Sequence, residues 1–235
     1  LTTSSAASDV YKRQAFDIAA HAGTLCAVIY FFKLELVNMT KSFFTNSSLL
    51  KEERKLALLL ILATLPIVIF GFLASDLVQL NRANISSIAW MNLIFAGLLL
   101  LAYKLNPNNK DLIQLTVLGA LFIGLFQVFA LLPGASRSGT AITAALFIGL
   151  NLRDASKFSF MLAIPTILGA LVFLVIDLMS SEQIINVGSL LVGFITSMIF
   201  AFLTIKYFLA FVERLGMYPF VFYRIGLGVI LLMII

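Results

Sequence analysis

Six apolar segments, each long enough to cross a lipid bilayer, constrain the fold of this chain more than any other feature. A transmembrane helix needs about 17–25 predominantly apolar residues. The segments lie at residues 15–32, 56–74, 86–103, 158–179, 188–210 and 217–235. Hydrophobic residues make up 61% of the chain and charged residues 11%, against about a quarter charged in a soluble domain. The sequence therefore predicts an all-α polytopic membrane protein.

A seventh apolar region, 112–150, is too long for one span and is interrupted by Pro133 and Gly134. Its second limb, 140–151, is too short to cross a bilayer. We therefore predict a re-entrant helical hairpin over 112–151, with its tip buried near mid-membrane. Irregular backbone is tolerated at that depth only inside protein or beside water. Two full spans would also return the chain to the same side, so that alternative stays open.

Basic residues in the connecting loops fall on one side of the membrane in this arrangement. The opposite side carries Arg82 alone. Because Lys and Arg favour cytoplasmic loops, we predict that the basic loops are cytoplasmic. These loops are residues 33–55, 104–111, 151–157 and 211–216. The net charge of +5 is explained in this way and does not indicate a nucleic-acid partner.

Three spans precede the broken region and three follow it, as inverted-topology repeats require. We predict one integral membrane domain, 15–235, in which 15–103 belongs to the first repeat and 104–235 is the second. The second repeat begins with a hairpin and the first does not, which suggests that a first hairpin is missing. Residues 1–14, LTTSSAASDVYKRQ, lack the apolar stretch of a signal peptide and are interpreted as a non-native or disordered leader.

The polar stretch LLPGASRSGTAITAAL, residues 131–146, carries the chemistry of the broken region. An arginine cannot shed its proton, and at the centre of a membrane helix it costs about 2.5–3.5 kcal/mol, so it is expected to face a cavity or an anion. Guanidinium suits bidentate contact with phosphate oxygens. The free N–H groups where the second limb starts also favour an anion. The alternative is a kinked helix whose arginine pairs with a carbonyl or an acid elsewhere.

We therefore predict a phosphate-binding site at this turn. The candidate catalytic residues are Arg137, Ser136 and Ser138, and the candidate phosphate-binding residues are Gly134, Gly139 and Thr140. A serine acts as a nucleophile only with a base within hydrogen-bond reach, and few candidates exist. Weaker candidates are Gln127, His21 and Asp17. His21 and Asp17 share a helix face at i and i+4, although a polar helix end explains them more simply.

Together with Gln127 and KFSFMLAIPTILGA (157–170), the stretch resembles the bacterial undecaprenyl-diphosphate phosphatases of the bacitracin-resistance type. FDIAAHAGTLCAV (16–28) and YRIGLGVILL (223–232) match further stretches of that family in the same order. The resemblance implies removal of one phosphate from undecaprenyl diphosphate in the bacterial inner membrane, which recycles the lipid carrier of cell-wall synthesis. It also implies an inverted-repeat protein with two re-entrant hairpins and a divalent cation, Mg or Ca. With the six spans counted above, the predicted fold is an inverted-repeat bundle of six transmembrane helices. The expected partners are the prenyl diphosphate substrate and membrane lipids, and a homodimer is left open.

The chain departs from the family pattern at its start. In the family, the first hairpin carries a pair of glutamates and a loop with Ser, Gly and His, which here would precede Ala15. We therefore expect no metal site in this chain and an active site that lacks a part. Asp177 is predicted to be interfacial. Tyr223 and Arg224 either lie near the site or anchor the last span, and anchoring is the preferred interpretation. A transporter or flippase for an anionic lipid or solute, built on inverted repeats, is the alternative function.

Overall fold

The structure is a computed structural model that describes residues 2–45, 50–75, 78, 84–107, 109–179 and 187–235; within them, the side chains of residues 2–14, 173 and 177–179 are outside the description. Over these residues the protein is all-α, as predicted. The α-helices are α1 (Thr2–Phe31), α2 (Lys33–Phe44), α3 (Lys51–Leu73), α4 (Ile85–Leu105), α5 (Val117–Gln127), α6 (Arg137–Phe147), α7 (Leu152–Met179), α8 (Val187–Leu215) and α9 (Tyr218–Ile234). Short 3₁₀ turns lie at Leu112–Gln114 and Val128–Leu131.

Four of these helices, α3, α4, α7 and α8, are long and apolar enough to cross a membrane. A fifth span is reached if α1 and α2, which meet at an angle of 77°, count as one. α9 is a shorter apolar helix of 17 residues. The prediction of a multi-pass helical membrane protein is confirmed at this level, and the count of six spans stays a prediction. Helix α1 begins at Thr2, so residues 2–14, predicted to be a leader, form its first turns.

The broken region forms a hairpin whose two ends meet. The N–H of Lys110 donates to the carbonyl of Gly149 at 3.1 Å, and the N–H of Asn151 donates to the carbonyl of Lys110 at 2.8 Å. Helices α5 and α6 have 11 residues each, so each is about 16 Å long, roughly half of a hydrocarbon core. Neither limb spans a bilayer alone, and the chain returns to the place from which it started.

Polar side chains close the base of the hairpin. The Asn151 amide donates to carboxylate oxygens of Asp111 (2.9 Å) and Asp154 (3.0 Å). Asp154 also accepts from the N–H of Leu112 at 2.8 Å. The Asn106 amide donates to the carbonyl of Leu150 at 2.8 Å. These bonds satisfy backbone groups that would otherwise be unpaired at the ends of the two limbs.

The second limb forms the centre of the molecule. Every residue of α6 from Gly139 to Leu146 is buried, which fits an Ala- and Thr-rich segment that neighbouring helices approach closely. It packs against α4, α5 and α7, while α5 packs against α3. Gly124 of α5 lies directly against the backbone of Ala63 in α3, where a side chain would collide. The polar turn before α6 is therefore held inside protein.

The basic loops gather at one end of the molecule, as the charge pattern predicts. Lys157 forms an ion pair with Glu35 at 2.9 Å, and Arg153 pairs with Glu213 at 2.8 Å. Lys55 donates to the carbonyl of Ile113 at 2.9 Å. The described parts of the loops 33–55, 104–111, 151–157 and 211–216 are thus neighbours at the base of the hairpin. Arg82 and the side chain of Asp177 lie outside the described residues.

Candidate functional site

The turn between α5 and α6 is irregular because of two residues with positive φ. Gly134 has φ +94°, and its Cα lies against the backbone of Ile88 in α4, leaving no room for a Cβ. Ser136 has φ +69° and ψ +115°. Among the described residues it is the only non-glycine residue with a positive φ. Such a conformation costs about 1–3 kcal/mol and is typical of functional sites. The strain falls on a predicted catalytic residue.

Ser136 is the N-cap of α6. Its Oγ accepts a hydrogen bond from the N–H of Gly139 at 3.3 Å. The N–H groups of Arg137 and Ser138 stand in the first turn and have no acceptor within the helix. These two donors and the positive end of the helix dipole point out of the start of α6, an arrangement that favours an anion.

Arg137, the first residue of α6, is half-buried and extends towards α7. Its Nη1 donates to the carbonyl of Ala163 at 3.4 Å, a long bond. This contact is the carbonyl pairing that the sequence left as an alternative to phosphate binding. It engages one of the five N–H donors of the guanidinium group, so the side chain keeps donors for a second acceptor.

The other predicted phosphate ligands differ in accessibility. Thr140 is fully buried, and its hydroxyl donates to the carbonyl of Arg137 at 2.8 Å. The carbonyl of Ser138 accepts from the hydroxyl of Ser159 at 3.3 Å, which ties the first turn of α6 to α7. Gly139 is buried against the guanidinium group of Arg224, where a Cβ would lie 2.6 Å from Nη1. In this arrangement Thr140 and Gly139 shape the turn.

Arg224 lies beside the site, which is the interpretation that the sequence left open and did not prefer. The interpretation as an anchor of the last span is wrong, because the side chain is only 3% exposed and lies inside the protein. Its Nη2 donates to the carbonyls of Gly134 at 2.7 Å and Ala135 at 3.0 Å. Its Nε and Nη1 have no hydrogen-bond partner among the described residues. The available signal was an Arg in an apolar span, the same feature that singled out Arg137.

Gln127 ends α5 and is 1% exposed. Its Nε2 lies 3.5 Å from the hydroxyl oxygen of Thr166 on α7, and its Oε1 has no partner among the described residues. Thr166 lies one turn beyond Ala163, whose carbonyl accepts from Arg137. Gln127 and Arg137 are therefore both directed at the same part of α7, and Gln127 belongs to the surroundings of the site.

His21 and Asp17 lie on α1, which packs against α7 through a cluster of Leu25, Ala163 and Ile167. Nδ1 of His21 lies 2.7 Å from the backbone carbonyl of Asp17. Leu25 follows His21 by four residues, so the two share the face of α1 that meets Ala163. The hydrogen bond described for His21 thus lies within α1.

Metal-binding groups are not gathered at this site. Within the part of the chain that the structure describes, no group of three or more His, Cys, Asp or Glu side chains lies close enough to hold a metal ion. The described residues therefore do not fit a divalent cation. The groups gathered at the turn are of the kind that favours an anion: the guanidinium of Arg137, a helix start and the hydroxyls beside it, with Arg224 behind the turn.

Comparison with known proteins shows the family of this chain. The family model described as bacitracin resistance protein BacA matches residues 2–230. The chain belongs to the BacA family. Undecaprenyl-diphosphatase of Alcanivorax borkumensis is 42% identical over 220 residues, which are 93% of this chain and 83% of that protein. Undecaprenyl-diphosphatase of Alteromonas mediterranea is 41% identical with the same coverage. The resemblance seen in the sequence is thus confirmed for the family as a whole.

Proposed function

We propose that this BacA-family protein is an undecaprenyl-diphosphatase, which hydrolyses undecaprenyl diphosphate to undecaprenyl phosphate and inorganic phosphate. The observation that carries the proposal is the guanidinium of Arg137 at the start of α6, beside a strained Ser136. The relatives named for this activity match 93% of the chain. An enzyme name on these relatives also favours hydrolysis over the transporter or flippase alternative.

The residues of the turn have separate roles in this reaction. Water supplies the oxygen that forms the new bond to the terminal phosphorus, and the anhydride bond to undecaprenyl phosphate breaks. Arg137 and the first N–H groups of α6 bind the phosphate oxygens and offset the charge that develops on them. The Ser136 oxygen accepts from Gly139, which leaves its hydroxyl hydrogen to donate to a phosphate oxygen. The nucleophilic role predicted for Ser136 or Ser138 needs a base, and the described residues place none beside them.

We also propose the inverted-repeat layout that the sequence predicts, with α1, α3 and α4 in one half and α7, α8 and α9 in the other. In this layout α1 corresponds to α7, α3 to α8 and α4 to α9. The contact of α1 with α8 then corresponds to the contact of α7 with α3, and both contacts exist. The contacts of α1 with α7 and of α4 with α9 are their own counterparts and exist as well. This agreement of helix pairs supports two repeats related by a two-fold axis in the membrane plane.

The same symmetry supports a second hairpin, packed on α8 as α5 is packed on α3. In α3, 33% of the most apolar span is buried within the described protein, whereas in α8 the share is 11%. We propose that this second hairpin carries the paired glutamates that the family resemblance implies. A divalent cation, Mg or Ca, then depends on those glutamates, because the described residues do not fit one.

A phosphate-release assay tests the function. The first sample is the purified 1–235 chain in detergent, and the second carries a family-type hairpin before Ala15 (the hairpin-extended protein). We expect divalent-dependent phosphate release from undecaprenyl diphosphate by the hairpin-extended protein and none by the 1–235 chain. Arg137→Ala in the hairpin-extended protein should lower kcat by at least about 100-fold, as expected for the loss of a main charge-stabilising donor.

Two outcomes would contradict the proposal in different ways. Divalent-dependent turnover by the 1–235 chain would overturn the assignment of the acidic groups to a second hairpin and leave the phosphatase activity standing. Full turnover by the Arg137→Ala variant would overturn the site itself. The exposed Arg153, which pairs with Glu213 at the charged end, is the matched control, since Arg153→Ala removes the same charge far from the turn.

A location in the bacterial inner membrane completes the proposal, and the homodimer stays a prediction. Several apolar helices support a multi-pass membrane protein, and the cell-wall lipid substrate supports the inner membrane. Chemical cross-linking in native membranes, followed by denaturing electrophoresis, tests the homodimer.

A further inference from the structure

Helix α2 follows the first apolar helix after a sharp change of direction. The two helices meet at 77°, and α2 begins with Lys33 at the charged end of the molecule. Because residues 15–31 of α1 are by themselves long enough to cross a bilayer, a helix that turns by this angle at their end runs close to the plane of the membrane surface. At that depth an amphipathic helix contacts both acyl chains and phosphate headgroups.

One face of α2 is fixed against the protein. Met39 and Ser42 are buried, and Glu35 pairs with Lys157 of α7 at 2.9 Å. Arg54 of α3 donates from Nε to the carbonyl of Ser42 at 2.8 Å. These contacts define the orientation of α2, so its opposite face is set as well.

The opposite face combines apolar side chains with lysines. Leu34 is 70% exposed, Val37 48% and Phe44 87%. Lys33 and Lys41 are also exposed and lie on this face with Val37, at successive spacings of four residues. The one acidic residue of α2 is Glu35, which is engaged on the other face. The exposed face is thus apolar and cationic, with no negative charge of its own.

A tyrosine marks the membrane–water boundary beside this face. Tyr30, at the end of α1, is 61% exposed, and Nζ of Lys33 lies 4.6 Å from the centre of its ring. Tyr is typical of the interface between acyl chains and headgroups, and Lys reaches from this level to the phosphates. No described residue forms an ion pair with Lys33 or Lys41.

We propose that the exposed face of α2 is a binding site for anionic phospholipid of the cytoplasmic leaflet. Leu34, Val37 and Phe44 enter the acyl region, and Lys33 and Lys41 bind headgroup phosphates. The positive charges of the two lysines favour an anionic lipid, because a zwitterionic headgroup offers them no net negative charge. A basic residue near an anionic surface contributes about fivefold to affinity. This site is separate from the hairpin turn and does not depend on the phosphatase function.

Lipid binding is tested on the 1–235 chain without substrate. A fluorophore attached to Val37→Cys, on a Cys26→Ser background, is exposed to brominated phosphatidylglycerol or brominated phosphatidylcholine in mixed micelles. We expect stronger quenching by phosphatidylglycerol, with a half-saturating concentration that rises at least about tenfold in the Lys33→Gln/Lys41→Gln variant. The matched control is Lys51→Gln/Lys104→Gln, which removes two exposed lysines from the same end and should leave quenching unchanged.

Three results would overturn the proposal. Equal quenching by both lipids would show a purely apolar contact, and equal weakening in both double variants would show an effect of net charge alone. Disulfide cross-linking of unlabelled Val37→Cys chains, without quenching by either lipid, would show that a second copy of the chain covers the face. Circular dichroism of each variant confirms that the helices are intact, so a loss of quenching reports on the lysines.

Discussion

Arg224 of the last helix donates from Nη2 to the carbonyl of Gly134 at 2.7 Å, across 90 residues of sequence. A second bond from the same nitrogen reaches the carbonyl of Ala135 at 3.0 Å. The two carbonyls belong to the turn that precedes Ser136 and Arg137, which lies between α5 and α6 and is part of neither helix. The last helix therefore fixes the turn, and the positions of the phosphate-binding groups depend on a residue that lies outside the motif.

Arg224→Met is expected to destabilise the turn and lower turnover by the hairpin-extended protein. It removes the donor of the Gly134 and Ala135 carbonyls, and the buried Ala135 carbonyl left unpaired costs about 1–3 kcal/mol. Arg224→Lys should recover part of the stability and less of the activity, because an ammonium group lacks the planar fork. Thermal unfolding and phosphate release measure the two effects. Arg214→Met at the exposed end of α8 is the control, and equal behaviour of the Arg224 and Arg214 variants would contradict the role.

Gly134→Ala is expected to be poorly tolerated for two independent reasons. Its φ of +94° is unfavourable for any residue with a Cβ, and that Cβ would collide with the backbone of Ile88. Gly97→Ala is the control, since a Cβ there meets nothing within 4 Å. We expect Gly97→Ala to be neutral or to stabilise by about 0.5–1 kcal/mol, as for Gly in a helix interior. Thermal unfolding in detergent distinguishes the two, and comparable melting temperatures would contradict the structural account.

The sequence predicted the helices well, because apolar length is the main requirement of a membrane span. The hairpin was also predictable, since Pro133 and Gly134 interrupt an apolar region and α6 is too short to cross. The contacts that side chains of one helix make with another helix were not predictable. For Arg224 the sequence leaves a place near the site open and favours an anchor, because nothing in a single sequence shows that the last helix packs on a turn 90 residues earlier. The bend between α1 and α2 was also missed, since residues 33–55 were treated as one loop.

Arg137→Lys is expected to recover little of the turnover lost in Arg137→Ala. Lysine keeps the charge and loses the paired donors that fit two phosphate oxygens at once. We expect kcat of the hairpin-extended protein to fall at least about 100-fold in both variants. Phosphate release from undecaprenyl diphosphate measures the effect. Activity of Arg137→Lys near that of the unmodified protein would rule out bidentate binding and leave a simple charge role.

The charged end of the molecule is expected to face the cytoplasm. Lys51 begins α3 at that end, and Asn84 precedes α4 at the other, since each helix crosses the molecule. On a Cys26→Ser background, Lys51→Cys should react with an impermeant maleimide only in inverted vesicles, and Asn84→Cys only in spheroplasts. The reverse pattern would invert the topology. The same labelling test on Arg82→Cys checks the prediction that the loop with Arg82 lies on the side opposite the basic loops.

Gln127 and Thr166 are expected to act as a pair that positions Arg137. Nε2 of Gln127 lies 3.5 Å from the Thr166 hydroxyl oxygen, one turn along α7 from the carbonyl of Ala163 that Arg137 contacts. If the pair fixes this turn of α7, Gln127→Leu and Thr166→Val should each lower kcat by about 10-fold, at unchanged KM, and the double variant should lose little more. Steady-state phosphate release by the hairpin-extended protein gives this double-mutant cycle. Losses that multiply would show that the two residues act independently, because coupled residues lose their shared interaction only once.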